Sequence, residues 1–87
     1  MISVFVFLKA SSPSAIAALG QAVADIDGVY ECYSVTGDHD LIAILRVPGH
    51  DAIADVVTGR IAILPGIAST TTVIAFKTFS SADLVGF

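Results

Sequence analysis

Basic residues are scarce in this 87-residue chain. It contains four of them against eight acidic residues, and charged residues of either sign make up 14% of the chain. An average soluble domain has about 25% charged residues. Clusters of Lys and Arg neutralise phosphates in nucleic-acid complexes and hold proteins on anionic membranes. The basic residues are scattered here, so no direct binding to DNA, RNA or a membrane is expected. They are Lys9, Arg46, Arg60 and Lys77.

Cysteine, histidine and long apolar runs are also few. The single cysteine, Cys32, excludes an internal disulfide and a cysteine-rich zinc site, and its apolar surroundings favour a small buried side chain. The two histidines, His39 and His50, form no metal-ligand pattern, so no metal or cofactor is expected. The longest uncharged stretch, residues 61–76, is broken by a Pro-Gly pair and does not predict a membrane span. No secretory signal is recognisable, and a cytoplasmic protein is expected.

Apolar side chains are what the chain has in excess. Hydrophobic residues make up 55% of it. A surface with so little charge exposes apolar patches, and such patches mark contacts between proteins. We therefore expect an obligate homo-oligomer.

Four segments are rich in β-branched and aromatic residues and predict strands. In the first of them, both alternating faces are apolar, which indicates that both faces are covered. The predicted strands are residues 2–8, 29–36, 41–47 and 70–79.

Two segments with apolar residues at helical spacing predict helices. The pair Ser12-Pro13 is typical of a helix start, and Gly28 of its end. His50 or Asp51 is predicted to cap the second helix, which is weak by propensity because it contains Gly59 and β-branched residues. The apolar stripes comprise Ile16, Leu19, Val23 and Ile26 in the first helix, and Ile53, Val56, Val57, Ile61 and Leu64 in the second.

The predicted order of elements, β-α-β-β-α-β, indicates an α+β domain over residues 1–79, followed by a C-terminal tail, residues 80–87. Right-handed crossovers interleave two such halves into a four-stranded antiparallel sheet with both helices on one face, the ferredoxin-like arrangement. The other face keeps its apolar side chains. We expect the sheet of a second subunit to cover it.

The turn between the second and third predicted strands contains the residues best suited to bind a small ligand. Gly37 lets backbone N–H groups turn toward a small carboxylate. Asp38 and Asp40 can accept hydrogen bonds from an ammonium group. The N–H groups and the two carboxylates together match the α-carboxylate and the α-ammonium group of a free amino acid. Asp and Gly are also usual in hairpin turns for conformational reasons, and on the residues alone a plain turn remains the favoured interpretation.

Two other functions stay open. Small dimeric α+β barrel enzymes share this order of elements, and His39 and Asp40 would be the acid–base pair of such an enzyme. Both residues fall at a hairpin rather than beneath the sheet, and Ser34 and Ser69 lack a neighbouring base that would make them nucleophiles. An enzyme is therefore not expected. The remaining alternative is a purely structural assembly module.

The turn and its surroundings resemble a known family. Residues 35–41 resemble the V-T-G-x-x-D-L signature of the effector domain, or RAM domain, of the Lrp/AsnC family of feast/famine transcriptional regulators. The segment Leu64-Pro65-Gly66-Ile67, followed by Ser69-Thr70-Thr71-Thr72, resembles the family's L-P-G-V segment and its threonine-rich strand. The similarity extends over residues 4–79 in the same order.

The resemblance implies a ferredoxin-like domain that dimerises through its sheets, as in dimeric α+β barrels, and assembles further into a ring such as an octamer. It also implies that a free amino acid or similar small effector binds between dimers. The effector-binding residues that it predicts are Val35, Thr36, Gly37, Asp38, His39, Asp40 and Leu41 in the turn, and Thr70, Thr71 and Thr72 in the last strand.

The chain departs from the family pattern in one respect. Full-length members carry an N-terminal helix-turn-helix domain, whereas this chain begins at the first strand of the effector domain, and Met1 before that strand favours a naturally stand-alone form. We expect a non-catalytic module linked to the regulation of amino-acid metabolism, without DNA binding of its own. Full-length Lrp/AsnC regulators are candidate partners.

Overall fold

The computed structural model describes residues 1–79 and 81, so most of the predicted tail lies outside the described residues. Strands and helices follow one another in the predicted order. Their bounds are β1 (Ile2–Ala10), a 3-10 turn (Pro13–Ala15), α1 (Ile16–Ala24), β2 (Val29–Ser34), β3 (Leu41–Val47), α2 (His50–Val56), a π-helical turn (Val57–Ile61) and β4 (Ile67–Ile74). Neither described helix is long enough to cross a membrane.

The strands form one antiparallel sheet in the order β2-β3-β1-β4. β1 pairs with both β3 and β4, and β2 pairs with β3. The two central strands therefore come from distant parts of the chain, and β2 and β4 form the sheet edges. This confirms the predicted ferredoxin-like fold.

The core lies between the sheet and the two helices. Alternate residues of β1 and β3 point toward the helices and are fully or almost fully buried, as the period of a strand requires. Burial of this apolar layer is the main force that holds the helices on the sheet. The core comprises Val4, Val6, Leu8, Leu19, Val23, Leu41, Ala43, Leu45, Val47, Ile53, Val56, Val57 and Ile61.

The opposite side of the sheet, here called the open face, is also apolar. Phe5 lies opposite Ile44 and Phe7 opposite Ile42 in the β1–β3 register, and these four side chains occupy its centre. At the edges, Tyr33 on β2 is 46% exposed and Val73 on β4 is 47% exposed. The open face includes Phe5, Phe7, Tyr33, Ile42, Ile44, Thr71 and Val73, with Glu31 beside Ile44 and Arg46 farther along β3.

Two strand boundaries differ from the prediction. β2 ends at Ser34 rather than at residue 36, where the chain leaves the ladder to form the turn. β4 was predicted over residues 70–79 but spans Ile67–Ile74. Among the described strands β4 pairs with β1 alone, so the pairing ends near the start of β1, where Ala75 N donates to Ser3 O at 2.9 Å. Apolar composition predicted the strand, whereas the reach of its partner determines its end.

The helix starts also differ in detail. Pro13 begins a 3-10 turn that leads into α1, and the Ser12 hydroxyl contacts the Ser14 hydroxyl at 3.2 Å instead of a helix N–H. The predicted cap at His50 or Asp51 is wrong, because Gly49 holds the capping position with an extended backbone. Residue type alone does not show whether a side chain near a helix start bonds to the backbone of the helix or to another neighbouring group.

The second helix ends in a π-helical turn, Val57–Ile61. Ala62 N donates to Val57 O at 2.9 Å, a spacing of five residues instead of four. The turn contains Gly59 and β-branched residues, which agrees with the predicted weakness of this helix. Its side of the core is nevertheless tightly packed, since Ile61 is completely buried. Packing, not propensity, fixes this turn.

Gly28, between α1 and β2, has a φ of +98°, and a Cβ there would lie 3.0 Å from the Cγ2 of Val56. We expect Gly28→Ala to lower the free energy of unfolding by about 1–3 kcal/mol, because a side chain is strained in this backbone region. Urea denaturation at a fixed protein concentration measures the change. Gly59→Ala is the control, since a Cβ at Gly59 meets nothing within 4 Å. Equal losses in the two variants would contradict the argument.

Candidate functional site

The turn between β2 and β3, residues 35–40, is anchored at both ends. Val35 N donates to Asp40 O at 3.0 Å, and Asp40 N donates to Leu8 O at 2.9 Å. The second bond fixes the turn to the central strand of the sheet. Gly37 has a φ of +107°, and a Cβ there would meet nothing within 4 Å. Backbone conformation alone therefore accounts for the glycine.

Within the described part of the chain, the N–H groups of Thr36, Gly37, Asp38 and His39 donate to no protein acceptor. Thr36, Gly37 and Asp38 are exposed, so these donors are available to a ligand. Consecutive free N–H groups in a turn form a concave site that suits an anionic oxygen. The backbone of the turn therefore has the donor capacity that the sequence predicted.

The two aspartates of the turn have different surroundings. Asp40 is half-buried, and its Oδ2 accepts a hydrogen bond from Ala10 N at 2.8 Å. That bond lies where the pairing of β1 with β4 shifts register, between Lys9 and Ala10. Asp38 is exposed and accepts no hydrogen bond from any described residue. Asp40 thus has a structural contact, and Asp38 is the freer acceptor for an ammonium group.

His39 is half-buried and lies against the open face. Its ring centroid is 5.3 Å from that of Phe7, with the two planes inclined by 53°. In the described residues it makes no hydrogen bond to Asp40, whose Oδ2 is bonded to Ala10. No cluster of three or more potential metal ligands occurs among residues 1–79 and 81. His39 thus connects the turn with the open face by an aromatic contact.

The three threonines of β4 point to different sides of the sheet. Thr71 lies opposite Phe7, on the open face, next to the ring that His39 contacts. Thr70 and Thr72 lie opposite Leu8 and Val6, and therefore on the helix side. The structure brings Thr71 toward the turn and separates the other two from it.

Val35 and Leu41, at the two ends of the turn, also differ. Val35 is half-buried, whereas Leu41 is 2% exposed and belongs to the core. Leu41 can reach a ligand only from within a cavity on the helix side. Such a cavity exists.

A groove of about 530 Å³ lies between α1 and β2. It begins at Ser34 and Leu41, the last paired residues before the turn. A Cβ on Gly20 would lie 3.4 Å from the Cδ2 of Leu41, which is van der Waals contact, so α1 and β3 lie close together at this end of the groove. None of its lining residues is charged. They are Pro13, Ile16, Ala17, Gly20, Gln21, Ala24, Cys32, Ser34 and Leu41.

The sequence analysis missed this groove. The signal was present in α1, where Ala17, Gly20 and Ala24 recur at a spacing of three or four residues and so share one helix face. Cys32 lies on the strand side of the groove and packs against the core. Burial raises the pKa of the Cys32 thiol, which favours the protonated form. Cys32 was predicted to be a small buried side chain, and it is half-buried at the edge of the core.

Arg46 and Lys77 each lie against an aromatic ring, and exposed Lys9, which precedes Ala10, is the basic residue next to the turn along the sheet. The Arg46 guanidinium lies 4.6 Å from the centre of the Tyr30 ring, and its Nε is buried without a partner among the described residues. The Lys77 ammonium lies 5.2 Å from the Phe79 ring. No basic patch builds up at the turn.

A ferredoxin-like sheet with free backbone donors in one hairpin and an uncharged groove beside it defines a small ligand-binding domain. Comparison with protein families shows to which family this domain belongs. The family model of the Lrp/AsnC ligand binding domain matches residues 2–85, and the chain belongs to this family. The family is a regulatory, effector-binding one, which agrees with the resemblance seen in the sequence.

Several solved structures are similar to this chain. A protein of Thermus thermophilus is 39% identical, with a TM-score of 0.87, over 92% of this chain and 99% of that one. The leucine response regulatory protein of Mycobacterium tuberculosis is 29% identical, with a TM-score of 0.75, over 92% of this chain and 53% of that one. A transcriptional regulator of Neisseria meningitidis, solved in complex with L-Met, is 14% identical, with a TM-score of 0.81, over 94% of this chain and 54% of that one.

The chain spans about half the length of these two regulators. At 14% identity, the Neisseria structure shows the shared fold alone. Comparison with curated protein sequences finds no match.

Proposed function

We propose that this domain is a non-catalytic module that binds a free amino acid at residues 35–41, assembles through its open face, and contributes to the regulation of amino-acid metabolism without contacting DNA itself. The observation that carries the proposal is the row of unpaired N–H groups at residues 36–39, next to the exposed carboxylate of Asp38.

These two groups suit the two charges of an amino acid. The free N–H groups bind the α-carboxylate, and the Asp38 carboxylate accepts hydrogen bonds from the α-ammonium. Thr71 adds a hydroxyl on the open-face side, whereas Thr70 and Thr72, which were also predicted to bind the effector, point to the other side of the sheet. The Neisseria relative that was solved with L-Met supports an amino acid as the class of ligand.

Assembly follows from the open face. Phe5, Phe7, Ile42 and Ile44 form an apolar surface that stays partly exposed, although the His39 ring packs against Phe7. A second copy can bury it by packing sheet against sheet, which gives a dimeric α+β barrel. Family membership supports further assembly of dimers into a ring such as an octamer. A full-length Lrp/AsnC regulator presenting the same face is a candidate partner.

The surroundings of His39 weigh against an enzyme. An acid–base pair of His39 and Asp40 would need the two side chains within hydrogen-bonding distance of each other or of a shared substrate. The imidazole instead packs on Phe7, and the Asp40 carboxylate bonds to Ala10 N. A structural module without a ligand is left as the alternative that the following experiment tests.

At least one of the twenty amino acids is expected to raise the melting temperature. A ligand at about 100 times its Kd adds roughly 2.7 kcal/mol to stability, and each kcal/mol corresponds to about 4–8 °C in a domain of this size. A thermal-shift screen measures the effect. No shift with any amino acid would contradict the proposal and favour the structural module.

Asp38→Asn is expected to weaken the binding of that amino acid by about tenfold or more, because the ammonium group loses its charged acceptor. Isothermal titration measures the Kd. Asp55→Asn, which changes an exposed carboxylate on α2, is the matched control and should leave the Kd unchanged. Equal affinities of wild type and Asp38→Asn would remove Asp38 from the site.

A further inference from the structure

We infer that the groove between α1 and β2 receives the side chain of the bound amino acid and selects effectors with an uncharged, predominantly apolar side chain. This inference rests on the proposed function, since the turn is taken to hold the α-groups. It adds a second part of the site, on the helix side of the sheet, and a class of ligand.

The groove and the turn are continuous. Ser34 and Leu41 line the groove and also form the last β2–β3 pair before the turn. Two residues of extended chain span about 7 Å, so the N–H of Thr36 lies roughly that far along the backbone from Ser34. One amino-acid molecule can bridge this separation, with its carboxylate at the turn and its side chain in the groove.

The lining determines which side chains fit. None of the nine lining residues is charged, and the polar atoms among their side chains belong to Gln21, Ser34 and the Cys32 thiol. The Gln21 amide already donates to the carboxylate of Asp25 at 2.9 Å, outside the groove. A charged group placed against this lining would lose part of its hydration without gaining a counter-charge from the lining residues, which is unfavourable. The groove therefore discriminates against Asp, Glu, Lys and Arg.

The size of the groove agrees with this class of ligand. Its volume of about 530 Å³ falls within the usual range of small-molecule sites, roughly 300–1,000 Å³. It is open to solvent along one side, so a long, flexible apolar side chain can enter without a rearrangement of α1. Uncharged, predominantly apolar side chains of this kind include those of Leu, Ile, Met and Phe.

The helix side of the groove is built from very small residues. Gly20 lies in the interior of α1, where Gly is less favourable than Ala. The contact that a Cβ there would make with Leu41 shows how closely helix and strand approach at this point. Ala17 and Ala24 continue the same wall one turn away on either side. Larger side chains at these positions would occupy the space that we assign to the ligand.

Two neighbouring alanines of α1 provide a matched test. Ala17 and Ala18 both lie on α1, but only Ala17 lines the groove. We expect the amino acids that bind the wild-type protein to be uncharged, and Ala17→Leu to weaken their binding by about tenfold or more. Ala18→Leu should leave the Kd within about twofold. Isothermal titration with Leu, Met, Phe, Glu and Lys measures this, and thermal unfolding without ligand checks that both variants fold.

The outcomes that contradict the inference are distinguishable. If no amino acid binds the wild-type protein, the proposed function is wrong and the groove inference is overturned with it. If Glu or Lys binds best, or if Ala17→Leu binds as tightly as Ala18→Leu, the turn can still bind the α-groups, but the groove does not hold the side chain. A change of molecular mass in Ala17→Leu with unchanged affinity would instead make the groove a contact between copies of this chain, which also overturns the inference.

Discussion

Ile44→Asp should leave the protein monomeric at micromolar concentration. Ile44 lies near the centre of the open face, between Phe5 on β1 and Glu31 on β2. In a two-fold dimer each copy would bury the new carboxylate against its partner, and every such uncompensated ion costs several kcal/mol. A loss of more than about 4 kcal/mol weakens dimerisation by roughly a thousandfold. Sedimentation velocity or light scattering after gel filtration measures the mass.

The same substitution on another surface provides the control. Ile63, in the segment that follows the π-helical turn, is 72% exposed and lies outside the sheet. Ile63→Asp should keep the mass of the wild type. Circular dichroism should show native secondary structure in both variants, because neither side chain points into the core. An Ile44→Asp protein with the dimer mass would exclude the open face as the subunit contact.

Asp40→Ala should lower the free energy of unfolding by about 1–3 kcal/mol, because the substitution leaves the partly buried N–H of Ala10 without an acceptor. The melting temperature should fall by about 4–8 °C for each kcal/mol. Asp40→Asn retains a side-chain oxygen that can accept the same bond, so its loss should be clearly smaller. Differential scanning calorimetry without ligand measures both variants.

Asp38→Ala tests whether the effect is specific to Asp40. Asp38 is exposed and bonded to no described residue, so its removal should change stability by no more than about 0.5 kcal/mol. If Asp38→Ala and Asp40→Ala destabilise the protein equally, the contact between Asp40 and Ala10 has no structural importance. The comparison matters for ligand binding too, since a loss of affinity in Asp40→Ala would combine a local structural change with the loss of a carboxylate.

The order of the elements could be predicted because the strands are rich in β-branched and aromatic residues and the helices carry apolar residues at helical spacing. Which face of β1 and β3 is buried could be seen only in the structure, because both faces of these strands are largely apolar. In β3 every second residue from Leu41 to Val47 is buried, and the same period in β1 defines the two faces of the sheet. The end of β4 could not be predicted, because its sequence continues to favour a strand through Phe79 after the partner strand has ended. The strand propensity of a segment gives no information about the length of the strand with which it pairs.

The site was predictable to a similar degree. Residue types in the turn indicated a capacity for a carboxylate and an ammonium group, and the resemblance to a family made that interpretation stronger. The sequence could not reveal that Asp40 bonds to Ala10, thirty positions away, or that His39 lies on Phe7. The small residues of α1 were a signal for the groove, but the sequence does not show that this helix face lies beside an edge strand. These are tertiary contacts, and each depends on how the elements pack.

The aromatic contact of His39 with Phe7 has a thermodynamic consequence. Phe7 belongs to the surface that a second copy would cover, and His39 belongs to the turn, so a single pair of rings is shared by both. Any molecule that favours one position of His39 changes the surface presented to the second copy, and a second copy that fixes Phe7 changes the freedom of His39. Such coupling acts equally in both directions. In this domain the contact between His39 and Phe7 is therefore the shortest connection between the proposed ligand site and the proposed subunit contact.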